Sequence, residues 1–338
     1  MIVVMKIGAT QEDQDKVIQV ADDLGFSPHI IEGKERNVIG LVGVAGQRDK
    51  TNVIGDMPGV ENIVPISKPY KLACKEVKPE PSIIDVCGVK FGGENVPVIA
   101  GPCSVESEES VIKTAQFVKA AGAQMLRGGA FKPRTSPYSF QGLEEDGLKI
   151  LAKAREETGL PFVTEVTNPR YVEMVYKYAD MFQVGARNVQ NFALLSELGK
   201  TDKPVLLKRG MSTTIEEYLT ATEYILSEGN KNVILCERGL RTFETATRNT
   251  LDISAVPVIK EKSHLPIIID PSHAAGHWQY VGPLSKAAVA IGADGLIIEV
   301  HPEPEKAWSD GAQSLTPQQF LELMGSMRSI ALAIGRTI

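Results

Sequence analysis

The sequence predicts an α/β protein: a (β/α)8 TIM barrel preceded by a small N-terminal ferredoxin-like α+β domain. After residue 95, eight short apolar runs each end in a polar or charged residue just before a loop, and helix-like stretches separate most of them. Such alternation is typical of buried parallel strands with crossover helices, and eight units suit a closed barrel. The first 66 residues instead follow a βαββαβ order, which is the ferredoxin-like pattern.

Length and composition limit the remaining possibilities. A chain of 338 residues can hold one large and one small domain, and we place the boundaries at 1–66, 67–95 and 96–338. The formal net charge of -6 argues against a general nucleic-acid or anionic-membrane binder. The four cysteines lack zinc-finger or thioredoxin-like spacing, and no signal peptide or membrane span is evident, so we expect a cytoplasmic protein with free thiols.

The N-terminal domain shows its elements in order. The run MIVVMKIG is strand-like, Thr10 is a candidate N-cap for the helix that follows, and Gly25 is a plausible end for it. HIIEG and NVIGLVGVAG then suggest a strand pair. A short helix over 50–57 and a last strand, VENIVPIS, complete the order.

A linker and a hairpin precede the barrel. PYKLACKEVKPEPS is rich in Lys and Pro, as linkers are. SIIDVCGVKFGGENVPV predicts a hairpin with Gly92 and Gly93 in its turn. We expect this hairpin to plug the N-terminal end of the barrel.

Four residues after the predicted strands form a candidate metal site. Cys103 follows strand 1, His273 follows strand 7 and Glu299 ends strand 8. In a closed barrel strand 8 lies beside strand 1, so these side chains should meet, and Asp310 can fold back over them. This mixed S/N/O set suits Mn, Fe, Co or Zn. A lone thiolate with two carboxylates favours a catalytic ion, because structural zinc prefers several cysteines.

Each residue type taken singly has a plainer interpretation. A lone cysteine is usually a small buried hydrophobe, and we assign Cys236 to that role. Lone histidines are usually surface or capping residues, and His29, His264 and His277 are assigned so. His301 is expected beside the metal ligands rather than among them.

A set of cationic residues marks the same end of the barrel. Arginine binds phosphate and carboxylate with two parallel hydrogen bonds, and lysine adds a compact charge. We expect this set to line the side of the mouth opposite the metal. The residues are Arg127, Lys132, Arg187, Lys208 and Arg238.

The loop FKPRTSPYSFQG, residues 131–142, is a candidate site for a second phosphate. It gathers Lys132, Arg134, Thr135 and Ser136 in one irregular stretch, so it offers charge and hydroxyl donors together. Glu165, after strand 3, could orient a water or accept a proton, and it could equally pair with a rim arginine. Asp270 and Ser272 are candidate orienting groups for His273.

These residues lie in motifs that resemble one enzyme family. The motifs are GPCSVES, LRGGAFKPRTSPYSFQG, GARNVQNF, LLKRG, CERG, DPSHAAG and IIEVHPEPEKAWSDG. Together they look like 3-deoxy-D-arabino-heptulosonate 7-phosphate (DAHP) synthase, and most closely like the microbial type I beta-like form with an N-terminal ferredoxin-like regulatory domain. That resemblance implies a transferase that condenses phosphoenolpyruvate with erythrose 4-phosphate, the first step of the shikimate pathway and of aromatic amino-acid biosynthesis.

The resemblance also implies residue roles. Metal ligands would be Cys103, His273, Glu299 and Asp310. Phosphoenolpyruvate would contact the five cations above, with Ala186 donating its backbone N–H, and the KPRTS segment would hold erythrose 4-phosphate. We assign proton transfer to Lys132 or a metal-bound water, and placement of the attacking water to Glu165.

Regulation is the role implied for residues 1–66. The resemblance implies a homotetramer in which tyrosine or phenylalanine binds between the small domains of neighbouring subunits and inhibits the enzyme. His29 is a candidate contact for the hydroxyl of the effector.

Three alternatives stay open at this stage. The octulosonate 8-phosphate synthases share the barrel and phosphoenolpyruvate, but their usual KANRTS differs from KPRTS here, and Pro133-Arg134 favours the four-carbon aldose. A Schiff-base aldolase would use Lys208 as its amine. A non-enzymatic sensor of aromatic amino acids on an inactive barrel is disfavoured by the intact set of strand-end charges.

Overall fold

The computed structural model describes residues 1–31, 33, 36–42, 52–64, 68–133, 136 and 138–338. The chain forms two compact units, one of Met1–Glu80 with Lys262–His264 and one of Pro81–Glu261 with Leu265–Ile338. Within those ranges no helix combines the length and apolar character needed to cross a membrane. The predicted boundaries at residues 66 and 95 stay a prediction.

The first unit contains a four-stranded antiparallel sheet in the order β2-β3-β1-β4. This is the strand order of the ferredoxin-like fold, and the prediction for this unit is confirmed. Of the predicted helix over 50–57, the described residues show a helix at Asn52–Gly55, and residues 43–51 lie outside the described ranges. The elements are β1 (Ile2–Met5), α1 (Gln11–Asp23), β2 (Ser27–Ile31), β3 (Val38–Val42), α2 (Asn52–Gly55) and β4 (Val60–Val64).

Helix α1 begins where the sequence predicts. The Thr10 side chain accepts a hydrogen bond from the Asp13 backbone, and the Asp13 carboxylate accepts one from the Thr10 backbone, which makes a capping box. Such a cap stabilises a helix by about 1 kcal/mol. Val17 and Ala21, four residues apart, then face the sheet and are fully buried with the inner side chains of β1 and β3.

The second unit is a closed barrel of eight parallel strands, as predicted. Its strands are β7 (Val98–Gly101), β8 (Met125–Arg127), β9 (Phe162–Glu165), β10 (Met181–Val184), β11 (Val205–Lys208), β12 (Val233–Glu237), β13 (Ile267–Ile269) and β14 (Leu296–Glu299). Its helices are α3 (Glu108–Ala121), α4 (Glu144–Thr158), α5 (Val172–Tyr178), α6 (Phe192–Gly199), α7 (Ile215–Leu226), α8 (Ala255–Lys262), α9 (Pro271–Ala275), α10 (Trp278–Ala290) and α11 (Pro317–Ala333).

A hairpin of β5 (Ile84–Val86) and β6 (Val89–Phe91) precedes β7, but its turn is not where we predicted. Cys87 and Gly88 form the turn with φ of 50° and 91°, the left-handed pair that a two-residue hairpin turn needs. A cysteine is uncommon in that role, and the glycine pair at 92–93 was the stronger signal in the sequence. Gly92 instead sits after β6, where a Cβ would lie 2.2 Å from the Ser82 carbonyl oxygen.

The hairpin packs against one ring of side chains inside the barrel. We call this ring the apolar layer, and each strand contributes to it the first or second of its residues. These residues are Ile99, Met125, Val163, Met181, Leu206, Ile234, Ile268 and Ile297. Ile84, Val86 and Phe91 of the hairpin belong to the same buried cluster, so the hairpin closes the N-terminal end of the barrel.

Two residues further along each strand, the inward side of the barrel becomes polar. Alternate residues of a strand share a face, so this second ring lies directly above the first. We call it the polar layer: Gly101, Arg127, Glu165, Gln183, Lys208, Cys236, Asp270 and Glu299. The polar layer places charged groups at the C-terminal mouth, where barrel enzymes carry their chemistry.

Candidate active site

Four side chains from separate parts of the chain meet at the mouth of the barrel. One ligand atom from each of Cys103, His273, Glu299 and Asp310 lies within 4.8 Å of the other three. Cys103 Sγ is 3.2 Å from an Asp310 carboxylate oxygen, and His273 Nε2 is 3.4 Å from Glu299 Oε1. The structure thus brings together the four residues that the sequence singled out. Thiol, imidazole and carboxylate donors at these separations fit a divalent transition metal.

Asp270 holds His273 in place. Its side chain caps α9 by accepting a hydrogen bond of 2.9 Å from the His273 backbone. Its Oδ2 also lies 2.8 Å from His273 Nδ1, and burial lowers the pKa of that imidazole. Nε2 of the same ring is left to face the other three candidate ligands. Ser272, which we predicted to orient His273, instead accepts a hydrogen bond of 3.0 Å from the Glu299 backbone.

The charges of neighbouring groups set the protonation of the two buried acids. Burial raises the pKa of Asp270, but His273 and Lys208 outweigh it and hold the pKa well below the usual range. Burial likewise raises the pKa of Glu299, and the charges of His273 and Arg127 bring it below normal. Both groups are therefore carboxylates, and Glu299 can serve as a ligand without losing a proton.

Burial raises the pKa of the Cys103 thiol to about 12, with the Glu299 carboxylate adding to the effect. Lys132 acts in the opposite direction, since its Nζ lies 2.9 Å from Cys103 Sγ. A metal cation would favour the thiolate far more strongly than one ammonium does. Without a cation, burial therefore favours the protonated Cys103 thiol, and a bound metal would take the place of that proton.

The loop that carries Asp310 is fastened at several points. The hydroxyls of Ser104 and Ser309 are 2.5 Å apart, and the Glu106 carboxylate accepts a hydrogen bond of 2.7 Å from the Trp308 backbone. Glu106 also lies 3.4 Å from His301 Nε2. His301 therefore supports the loop and is not one of the four clustered residues, as expected from the sequence.

Beside the candidate metal ligands lies a cavity of about 380 Å³ with a strongly cationic wall. Among the described residues, seven lysines and arginines line it, against two carboxylates, Glu165 and Asp310. Such a wall suits a ligand with several negative charges. The seven are Arg127, Lys132, Arg187, Lys208, Arg238, Arg241 and Arg248.

The expectation that the cations lie opposite the metal site is wrong for two of them. Arg127 donates a hydrogen bond of 2.9 Å to Glu299 Oε1, and Lys132 contacts the Cys103 sulfur. The reason is the inward direction of the polar layer, which lets a long side chain from β8 reach the end of β14. Cations and candidate metal ligands therefore form one continuous site.

Several cationic groups in this site are buried. Arg127 is only 4% exposed, and its Nε is buried without a hydrogen-bond partner. Lys208 Nζ is 2.5 Å from Asp270 Oδ2, so it is engaged by a carboxylate and is not a free amine for a Schiff base. Arg238 donates to the His273 carbonyl at 3.3 Å, and burial lowers its pKa. Buried cations with donors to spare are suited to anionic ligands.

Comparison with known proteins identifies the family. One family model, the DAHP synthetase I family, matches residues 73–333, and another, the DAHP synthase ferredoxin-like domain, matches residues 1–68. This chain belongs to the DAHP synthetase I family. It is 53% identical to the phospho-2-dehydro-3-deoxyheptonate aldolase of Thermotoga maritima, over 99% of each chain.

Solved structures of the same group are also similar. A crystal structure of phospho-2-dehydro-3-deoxyheptonate aldolase (DAHP synthase) from Thermotoga maritima matches with a TM-score of 0.79 and 51% identity, covering 99% of this chain and 98% of that one. A truncated form of 3-deoxy-D-arabino-heptulosonate 7-phosphate synthase from Thermotoga maritima matches with a TM-score of 0.75 and 51% identity. The match covers 80% of this chain and 99% of the truncated chain.

More distant relatives include the 2-dehydro-3-deoxyphosphooctonate aldolase of Syntrophotalea carbinolica, at 33% identity over 76% of this chain and 99% of the relative. The family, the fold class and the enzyme class, 3-deoxy-7-phosphoheptulonate synthase, are confirmed as predicted. The octulosonate alternative loses support, because its relatives are much less similar and match about three quarters of the chain.

Three of the remaining predicted residues of this DAHP synthase family member are among the described residues of the cavity wall. Ala186 and Arg187 begin a 3-10 helix after β10, and Arg187 donates a hydrogen bond of 2.9 Å to the Pro133 carbonyl. Both line the cavity, as does Ser136. Arg134 and Thr135 lie outside the described residues.

Glu165 has no ion-pair partner among the described residues, so the ion-pair alternative finds no support there. Its carboxylate lines the cavity and accepts a hydrogen bond of 3.3 Å from Gln183. Gly185 allows this approach, because a Cβ at that position would lie 2.1 Å from Glu165 Oε1. The side chain is thus held at the cavity wall, where a water could be placed.

The residues to which the sequence analysis gave plainer roles are not among the four clustered residues. Cys236 is fully buried in the polar layer, and His264 is 8% exposed and hydrogen-bonded at 2.8 Å to the Leu72 carbonyl oxygen. His277 precedes α10 as its N-cap residue without a side-chain capping bond. His29 lies on β2, paired with Gly40 of β3.

Sequence reasoning missed part of the site. Arg241 and Arg248, from the long loop between β12 and α8, line the cavity with Asn249. Gln313 donates a hydrogen bond of 2.6 Å to Glu299. The signal for the first two was the run of arginines after strand 6, which includes Arg238, and a single glutamine gives no signal of its own.

Proposed function

We propose that this site condenses phosphoenolpyruvate with erythrose 4-phosphate to give DAHP and inorganic phosphate, with a bound divalent metal. The observation that carries the proposal is that the four candidate metal ligands lie beside a cavity wall of seven cations, three of which contact their side chains directly. A catalyst for this reaction needs an electrophile for the aldehyde oxygen and a pocket for two phosphate groups and a carboxylate. The residues that could hold such an electrophile and the cations that could hold the anionic groups line one cavity.

Cys103, His273, Glu299 and Asp310 would hold the metal. When bound, the ion supplies Lewis-acid polarisation of the aldehyde oxygen of erythrose 4-phosphate. Mn, Fe, Co and Zn all suit one thiolate, one imidazole and two carboxylates.

Phosphoenolpyruvate is the anion for the deeper cations. Arg127 has a buried Nε free to donate, and Lys208 and Arg238 lie on neighbouring strand ends. Ala186 offers a backbone N–H where the 3-10 helix begins. These groups would hold the phosphate and the carboxylate of phosphoenolpyruvate in place before the reaction begins. Their contribution to catalysis would be positioning and electrostatic stabilisation.

Erythrose 4-phosphate would place its phosphate nearer the opening. Ser136 and Arg187 line the cavity there with Pro133, and the sequence assigns Arg134 and Thr135 to the same segment.

The proposed reaction balances with water as the third reactant beside the two substrates. C3 of phosphoenolpyruvate attacks the aldehyde carbon, and water adds at C2, where positive charge develops. The resulting hemiketal phosphate then loses phosphate by breaking its C–O bond. Lys132 Nζ, beside the cluster, would give a proton to the aldehyde oxygen, and Glu165 would place the water.

The proposal is tested by product formation. Purified protein is offered phosphoenolpyruvate with erythrose 4-phosphate or arabinose 5-phosphate, with and without EDTA. We expect a seven-carbon product from the four-carbon sugar, loss of that product with EDTA, and its return with added metal. A preference for the five-carbon sugar would support octulosonate synthesis instead, and trapping by borohydride would support a Schiff base on Lys208.

A single substitution tests the ligand set. Cys103→Ser should lose bound metal and at least 100-fold in turnover, by analogy with the loss of one preorganised catalytic group. Cys74→Ala is the matched control, since Cys74 is also a buried free thiol and lies in the other unit. Normal metal content and full activity in Cys103→Ser would refute the assignment.

Residues 1–66 would be a sensor for tyrosine or phenylalanine in a homotetramer, with His29 near the effector. The support is the ferredoxin-like domain itself, which the chemistry above does not use. Deletion of residues 1–66 should leave turnover and abolish inhibition, and a truncated relative with a solved structure makes this variant practicable. Inhibition that survives in the truncated chain would remove the sensor. We place the protein in the cytoplasm, where its four free cysteines would stay reduced.

A further inference from the structure

The carboxylates of Glu299 and Asp310 each present one oxygen to the candidate metal site and one away from it. Glu299 Oε1 lies 3.4 Å from His273 Nε2, and Asp310 Oδ2 lies 3.2 Å from Cys103 Sγ. The other oxygens, Glu299 Oε2 and Asp310 Oδ1, accept hydrogen bonds from outside the cluster. Arg127 also donates to Glu299 Oε1 at 2.9 Å, so the outer donors fix the second oxygen of each carboxylate rather than the whole group.

The two outer donors are joined to each other. Gln313 Nε2 donates to Glu299 Oε2 at 2.6 Å, and Arg248 donates to Asp310 Oδ1 at 3.1 Å. The same Arg248 nitrogen also donates to Gln313 Oε1 at 2.8 Å. A carboxylate only accepts and a guanidinium only donates, so just one orientation of the Gln313 amide satisfies both neighbours. Three hydrogen bonds thus connect the two carboxylates around the outside of the cluster.

Both donors are held by their own surroundings. Gln313 is 2% exposed and ends a 3-10 helix that begins directly after Asp310. The backbone of Arg248 donates to the Ala275 carbonyl at 3.1 Å. This approach requires glycine at 276, where φ is +73° and a Cβ would lie 2.4 Å from the Arg248 Cβ. Arg248 is thus fixed against α9, the helix that carries His273.

We propose that Gln313, held by Arg248, is a positioning residue that fixes Glu299 and Asp310 as one-oxygen ligands and so sets metal affinity. The proposal rests on the metal-dependent function proposed above and adds a residue that touches neither metal nor substrate. Without the amide, Glu299 Oε2 would lose its donor, and both oxygens of that carboxylate could turn toward the cation. Partners that orient metal ligands in this way typically contribute roughly 10–100-fold to metal affinity.

The test uses the full-length protein stripped of metal and titrated with Zn²⁺ or Co²⁺ against a chromophoric chelator. Gln313→Met keeps the length of the side chain and removes both polar groups, and we expect the metal Kd to rise roughly 10–100-fold. Arg248→Lys keeps the charge but not two well-directed bonds, so a smaller rise is expected. Gln124→Met is the matched control, because Gln124 accepts one backbone hydrogen bond at the start of β7, away from the mouth.

Two readouts separate positioning from a structural role. The visible absorption of bound Co²⁺ should change in Gln313→Met, because the coordination of Glu299 changes, whereas a purely structural loss would lower Tm and leave both spectrum and Kd alone. A metal Kd within twofold of wild type, with an unchanged Co²⁺ spectrum, would overturn this inference while leaving wild-type, metal-dependent turnover intact. A wild-type protein that binds no divalent ion would instead overturn the proposed function itself.

Discussion

The apolar and polar layers of the barrel are built by the same eight strands, two residues apart, yet they do opposite work. The apolar layer meets the hairpin and fills the N-terminal end with aliphatic side chains. The polar layer is almost as deeply buried, with Lys208 at 3% and Asp270 and Glu299 at 0% exposed. Burial alone therefore does not separate core from site; the chemistry of the buried group does.

The polar layer tolerates burial because its charges are paired across strands. Arg127 pairs with Glu299, and Lys208 pairs with Asp270. Such pairs offset desolvation without adding much net stability, but removing one partner leaves an uncompensated buried charge. The comparison teaches that a change in the apolar layer should cost stability alone, whereas a change in the polar layer should cost both stability and function.

Lys208→Met should give the largest effect. It removes the cation from a buried pair and leaves the Asp270 carboxylate without its partner, which should lower the free energy of unfolding by about 3–5 kcal/mol. It also removes a preorganised charge from the cavity, so kcat/KM should fall by about 10²–10³. Calorimetry and steady-state kinetics measure the two losses, and a variant within tenfold of wild-type kcat/KM would contradict the role of the polar layer.

Leu206→Ala changes the same strand in the apolar layer. The cavity it leaves should lower the free energy of unfolding by about 2–5 kcal/mol. Leu206 packs in the apolar layer with the hairpin and does not line the cavity. Metal Kd and KM should therefore stay near wild type in the folded fraction. Chemical denaturation and metal titration provide the check, and a large change in KM would show that the layers are not separable.

His264 lies outside the two barrel layers and differs from their buried acids, because burial is the dominant influence on its pKa. Burial lowers the pKa of His264 to about 4, and the Leu72 carbonyl opposes this only in part. The His264 imidazole stays neutral in the folded state down to about pH 4, whereas in the unfolded chain it binds a proton below pH 6.5. Its contribution to the free energy of unfolding is therefore fully present above pH 6.5 and is lost as the pH falls to about 4. The total loss is about 3 kcal/mol.

The check for His264 is unfolding at several pH values, with His264→Gln as comparison. The variant should lose less stability than wild type between pH 6.5 and 4.5, because it has no imidazole to protonate. Parallel curves for the two proteins would count against a buried neutral histidine.

Ile297→Val should give the smallest effect. It removes one methyl group from the apolar layer on the strand that ends in Glu299, and should lower the free energy of unfolding by about 0.5–1.5 kcal/mol. Metal affinity and turnover should not change. A measurable loss of metal affinity from so small a change would show that packing in the apolar layer sets the geometry of the polar layer.

The sequence predicted the barrel and the clustered residues because both depend on local patterns. Eight apolar runs identify eight strands, and barrel closure then brings Cys103 near Glu299 without any further information. The capped helix after Thr10 was predicted for the same reason, since its signals lie within one turn.

Other features depend on contacts that no local pattern encodes. The turn at Cys87 uses an unusual residue for a left-handed position, so the prediction followed the glycine pair instead. Arg127 lies beside the candidate ligands because a long side chain crosses the mouth, which depends on reach rather than on strand order. Arg248 lies in a long loop and Gln313 ends a short 3-10 helix far from it in the sequence, and only coordinates show that they meet.

Asp310 holds a left-handed backbone conformation, with φ of 52° and ψ of 31°. That region is unfavourable for most residues with a side chain and natural for glycine, by about 1 kcal/mol. A glycine at 310 would relieve this backbone conformation, but it would also remove the hydrogen bonds that Asp310 accepts from Arg248 and Cys103. The carboxylate at position 310 is therefore held over the mouth at a cost in backbone free energy.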